Sequence, residues 1–166
     1  MATLSETVTH LGREADSLRH GPYGVIETSN GRFERVRLRR WPKFASLGGT
    51  LLLGKWRHHW SKADRCQLFY DQPRNHANYL AIKFIVSGKG TSYRTFRRAL
   101  ETLDEIARIK QTDALLCELA TWRISREMMA RWGWEPHLVG RWRRHYIRRF
   151  YGAYPPRPAW LEEHLG

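Results

Sequence analysis

Apolar residues recur along the chain with three different spacings, and each spacing predicts a different kind of element. Near the start, Leu4, Val8, Leu11, Ala15 and Leu18 step by four and three, which lines one face of a helix. Gly21 and Pro22 would end it, so residues 1–20 are expected to form an N-terminal helix. GRFERVRLRRW alternates instead, with Val36 and Leu38 set against charged neighbours, the pattern of an exposed or edge strand. GGTLLLGKWRHHW is a further strand candidate with glycines at its borders, and DQPRNHAN reads as a loop. YLAIKFIV, Tyr79 to Val86, is nearly continuous in its apolarity and rich in β-branched and aromatic residues, which predicts a buried strand.

From Ser92 the period lengthens. Phe96, Ala99, Leu100, Leu103, Ile106 and Ala107 share one helical face, with Arg97, Arg98, Glu101, Asp104, Glu105 and Arg108 on the other. DALLCELA, Asp113 to Ala120, is a second apolar strand. Ile124, Met128, Met129 and Trp132 suggest a short helix closed by Gly133, and RHYIRRFYG reads as a last strand. The tail 153–166 is extended through its prolines and then briefly helical. The second half thus runs strand, helix, strand, helix, strand, behind a first half that is mostly strand. This predicts one α/β (α+β) domain, residues 1–166, with a mixed central sheet flanked by helices. Tyr79–Val86 and Asp113–Leu119 are expected to be parallel neighbours joined by the helix Ser92–Lys110.

A length of 166 residues with 42% hydrophobic content is enough for a sizeable core. The net charge of +13 favours an anionic partner: nucleic acid, an acidic membrane surface or a phosphorylated small molecule. Cys66 and Cys117 are the only cysteines, without metal or redox spacing, and no secretory signal or membrane-length apolar run is visible. A soluble, cytoplasmic protein is expected. Eight tryptophans, among them Trp56, Trp60, Trp122, Trp132, Trp134 and Trp142, lie among arginines and histidines. They read either as core residues edged by arginine stems or as a stacking surface for bases.

FIVSGKGTSYRTFRRAL places a glycine loop between a strand end and a helix start. Free backbone N–H groups and the helix dipole suit such a loop to phosphate; Gly88 and Gly90 permit close approach, Lys89 adds charge, and Ser87, Thr91 and Ser92 add hydroxyls. The same loop serves equally as a capped turn, and it lacks the spacing of a P-loop. The order strand, glycine loop, long amphipathic helix, apolar strand, short helix ending in RWGWEPH, then strand resembles the C-terminal part of the GNAT acyltransferase superfamily over roughly Tyr79 to Tyr151. The resemblance implies an acyl-CoA cofactor whose pyrophosphate lies on the loop Ser87–Ser92, and it matches Gly133 and Trp134 to the family's Gly-aromatic pair. Ile85 stands at the family's Arg/Gln position, Trp122 at its usual Asn and Met129 at its frequent general-acid Tyr.

Acylation of an amine needs a base for the attacking nitrogen and an acid for the leaving thiolate. Glu118 interrupts an apolar strand, so burial there would tune it as a base, or an arginine would pair it. Tyr146, on the last strand, is the acid candidate. Cys117 reads as core, and the scattered histidines His58, His59, His76, His137 and His145 predict no metal site. Eight arginines against two acids between Trp122 and Tyr151, and six bases against Glu34 between Arg32 and Lys43, make a surface for RNA or DNA a second candidate function. The two readings are an acyl-CoA-dependent N-acyltransferase and a non-catalytic GNAT-like basic module binding RNA, DNA or a ribonucleoprotein.

Overall fold

The computed structural model describes residues 6–40, 62–119, 124–139 and 144–166. Their elements run β1 (Thr7–Val8), α1 (Ala15–His20), β2 (Tyr23–Ser29), β3 (Arg32–Arg39), β4 (Arg65–Asp71), β5 (Tyr79–Ser87), α2 (Tyr93–Lys110), β6 (Ala114–Leu119), α3 (Arg126–Arg131), β7 (Glu135–Val139), β8 (Arg144–Arg149) and α4 (Ala159–Glu162). All eight strands join one sheet, in the order β1-β3-β2-β4-β5-β6-β8-β7. Every neighbouring pair is antiparallel except β5 and β6, which run parallel as their apolar sequences and the long intervening helix require. A mixed sheet flanked by helices, with α2 crossing between two central parallel strands, is the α/β (α+β) architecture that the order of elements predicts.

Helix α2 forms where the apolar period is cleanest. Ser92, in extended backbone, caps it by accepting the Thr95 N–H at 3.2 Å, and Gln111 ends it in the left-handed region at φ 55°. Ala99, Leu100, Leu103, Ile106 and Ala107 are buried and meet Leu80, Ile82, Leu115 and Cys117 of the parallel strands in the same core. Fully burying one such leucine contributes about 1.5–3 kcal/mol. Asp104 and Glu105, expected on the solvent face, are not there. Glu105 is 2% exposed and Asp104 is largely covered, because the tail and β8 close over that side of the helix.

The first twenty residues are also different from their pattern. Val8, Leu11 and Leu18 are all fully buried, but only Ala15–His20 are helical, and Thr7–Val8 pair with Arg37 and Val36 of β3. The Glu14 carboxylate accepts the N–H groups of Thr9 and His10, each at 3.0 Å, and so holds a loop where the helix was expected. The strand candidate GGTLLLGKWRHHW lies outside the described residues.

Candidate active site

Strands β5 and β6 pair only from Tyr79–Ala114 to Ile82–Cys117. Beyond that point β5 stays with β4 and β6 stays with β8, so the sheet parts between them. The sequence supplies the cause of the parting. Opposite β4, Phe84 pairs with Phe69 and Ile82 with Tyr70, which leaves Lys83 as an extra residue. Such a bulge bends and twists its strand, and it sits at the first residue beyond the pairing with β6. The resulting cleft is about 1080 Å³ and open to solvent.

Much of the cleft lining is apolar, with Phe84, Ile85, Phe96, Leu116 and Met128. The groups able to move protons lie at the parting. Glu118 pairs in register with His145, and Cys117 with Tyr146, so Glu118 and His145 share one face of the sheet while Tyr146 faces the core side. All four line the cleft. The His145 Nδ1 lies 4.0 Å from the Glu118 carboxylate. Burial, the premise for Glu118 as a tuned base, does not hold: its side chain is exposed and shares the site with the histidine. Tyr146 is buried, with its hydroxyl 3.5 Å from Arg144 Nη1, and Arg144 is in turn anchored by donating to the Ile124 carbonyl at 2.9 Å. Burial pushes the Cys117 thiol up to about 12, with the Glu118 charge adding to it, so little thiolate forms there at neutral pH. His145 carries no sequence mark of its own; only the strand register sets it beside Glu118.

The glycine loop is at the other end of the cleft. Ser87, Gly88, Thr91 and Ser92 line it, whereas the exposed Lys89 and the half-buried Gly90 do not. The donors of Gly88, Thr91 and Ser92 are already engaged. Gly88 N–H donates to Thr91 Oγ1 at 2.9 Å, Thr91 Oγ1 donates to the Arg65 carbonyl at 2.6 Å, and Thr91 N–H donates to the Gly88 carbonyl at 3.2 Å. At the start of α2 the Asp64 carboxylate accepts Ser92 N–H at 2.8 Å and Ser92 Oγ–H at 2.9 Å. Partial burial works to raise the Asp64 carboxyl, but the bonds from Thr95 and Ser92 outweigh it and hold it below its ordinary value. Gly90 is glycine for packing: a Cβ there would collide with the Lys62 carbonyl oxygen.

An acyl-CoA fits this site only in part. Its acyl and pantetheine portions suit the apolar lining and the polar parting. At Ser92 its diphosphate does not fit, because the Asp64 carboxylate already takes the Ser92 N–H and Oγ–H.

The arginines expected to make a basic face on β8 are largely committed within the fold. Arg148 donates two bonds to the Asp104 carboxylate, at 2.8 and 3.0 Å, Arg149 pairs with Glu135, and Arg143 lies outside the described residues. Arg35 and Arg37 share Glu27, and Arg97 and Arg98 share Glu101. Of the tryptophans, Trp134 is buried and Trp132 packs between Tyr93 and Phe96 while donating to the Tyr93 hydroxyl at 2.8 Å. Met129 is also core, and Trp56, Trp60, Trp122 and Trp142 lie outside the described residues. Among the described residues no cluster of ligating side chains could hold a metal ion, and no helix is long and apolar enough to cross a membrane.

No protein-family model and no curated protein matches the chain. Solved structures that are similar to it include the following two. One is yncA of Salmonella typhimurium, determined with its cofactor acetyl-CoA, at 10% identity and a TM-score of 0.44 over 70% of this chain and 80% of that one. The other is the ribosomal-protein-S5-alanine acetyltransferase of Vibrio fischeri, at 12% identity and a TM-score of 0.42 over 70% and 80%.

Proposed function

We propose that the protein is an N-acyltransferase that takes its acyl group from an acyl-CoA-type thioester held in the cleft between β5 and β6. The observation that carries this reading is the parting of two parallel strands at Lys83, in a cleft lined both by apolar side chains and by Glu118, His145 and Tyr146. When bound, the thioester supplies an activated carbonyl. The chain's own residues supply position and proton handling. Glu118 and His145 form a pair that accepts the proton of an attacking ammonium: the imidazole nitrogen takes it and the carboxylate stabilises the charge formed. The Tyr146 hydroxyl, oriented by Arg144, is the proton donor on the opposite face, where a thiolate would leave. Phe84, Ile85 and Met128 exclude water from the thioester.

Thermal melting in the presence of acetyl-CoA, of a phosphate-free acetyl thioester and of an RNA oligomer tests this. A thioester at one hundred times its dissociation constant stabilises the native state by about 2.7 kcal/mol. That corresponds to a rise of roughly 5–11 °C for a domain of this size. Stabilisation by RNA alone, lost at high salt, would transfer the function to nucleic-acid binding.

A further inference from the structure

The Asp64 carboxylate sits against the start of α2, on the donors of Ser92. Its placement is built from several elements at once. The Asp64 carbonyl accepts Asn30 N–H at 2.9 Å from the β2–β3 turn, which fixes the residue's backbone. Its carboxylate then takes both donors of Ser92, while Ser92 Oγ lies 3.1 Å from Thr95 Oγ1, and Thr95 Oγ1 accepts Gly31 N–H at 2.7 Å. Beside it, the Lys62 carbonyl covers Gly90. Two acceptors of negative charge or partial charge therefore face the loop from residues 62–64. A helix N-terminus attracts negative charge, and an ionised carboxylate in the fold supplies it without any loss of translational freedom. A diphosphate arriving at Ser92 meets a like charge instead of a free N–H.

We propose that Asp64 sets donor specificity: its carboxylate fills the anion seat of α2, so the cleft takes a thioester by its acyl and pantetheine portions and gives a diphosphate no hold at Ser92. This rests on the thioester reading of the cleft, but the seat itself can be probed without a thioester. The experiment titrates inorganic pyrophosphate, acetyl-CoA and S-acetyl-N-acetylcysteamine into the wild type and Asp64→Ala, with circular dichroism as the control for folding. Asp64→Asn, which removes the charge and keeps the shape, serves if Asp64→Ala does not fold.

In the wild type, pyrophosphate is expected to leave the melting temperature unchanged, and the two thioesters to bind within about threefold of each other. In Asp64→Ala, pyrophosphate is expected to bind and acetyl-CoA to tighten at least tenfold, with the phosphate-free thioester unmoved. Asp64→Asn shows the same gain to a smaller extent. A wild type that binds pyrophosphate, or a folded variant that gains no pyrophosphate binding, overturns the proposal. Failure of both thioesters to bind the wild type removes the transferase reading instead, and the pyrophosphate titrations still decide the role of Asp64.

Discussion

Replacing Arg157 by alanine exposes how the tail holds the long helix. Arg157 donates two bonds to the Glu105 carboxylate, at 3.0 and 2.8 Å, and Glu105 is 2% exposed. Removing one partner of a buried pair leaves an unpaired charge and costs about 3–5 kcal/mol. Two features reduce this. The Arg157 side chain is itself 40% exposed, and Arg108 Nε remains 3.7 Å from the same carboxylate. A loss of about 2 kcal/mol is the reasoned value, which lowers the melting temperature by roughly 4–8 °C. Thermal unfolding followed by circular dichroism measures it, and Glu105→Gln in the same series completes a double-mutant cycle. If the pair carries the effect, Arg157→Ala costs much less in the Glu105→Gln background. An Arg157→Ala protein melting within a degree of the wild type refutes the argument. An equal loss in both backgrounds assigns the effect to packing of the tail and not to the ion pair.

Gly90→Ala is expected to cost about 2 kcal/mol, because the added Cβ meets the Lys62 backbone, which cannot rotate away; denaturant unfolding measures it, and a neutral result would show the 62–65 segment to be yielding. The Asp64 carboxyl is lowered in the fold, so its contribution to stability is present above the ordinary value of 3.8 and lost as pH falls through the folded value. Asp64→Ala should accordingly flatten the acid limb of the stability curve below about pH 4, and an unchanged limb would contradict the bonding at Ser92. His145→Gln and Glu118→Gln should each lower acyl transfer to whichever amine the wild type accepts by a factor of about 10²–10⁴ with thioester binding unchanged, as measured by thiol release. Full activity in His145→Gln would return the proton to another group.

What the sequence announced most clearly were elements whose burial is decided by their own period. Strand β5, helix α2 and strand β6 each hide a face or stripe that any reader of spacing finds. The N-terminal stripe misled for a physical reason: Val8, Leu11 and Leu18 are indeed buried, but steps of four and three satisfy a strand and a loop as well as a helix once Glu14 holds the turn. Strand β7 hid behind Pro136 and the positive φ of Leu138; a proline is tolerated there because β7 is the sheet's outermost strand. Strand β2 hid behind Gly24, whose missing Cβ leaves room for the Tyr70 ring. The site followed the same division. The loop and Glu118 stood out locally, whereas His145 and Asp64 acquire their meaning only from a register and from a contact 28 residues distant in the chain.

The Glu105–Arg157 pair has a consequence for the order in which the molecule comes into being. The carboxylate leaves the ribosome 52 residues ahead of the guanidinium that covers it. At 5–20 residues per second that is an interval of about 3–10 s. During it, α2 presents a charge toward a place that must eventually be dry, so that flank of the helix stays hydrated while the rest of the sheet assembles. The tail is therefore a late-arriving fastener, and a nascent chain halted before it should remain open on that side to chaperones and proteases.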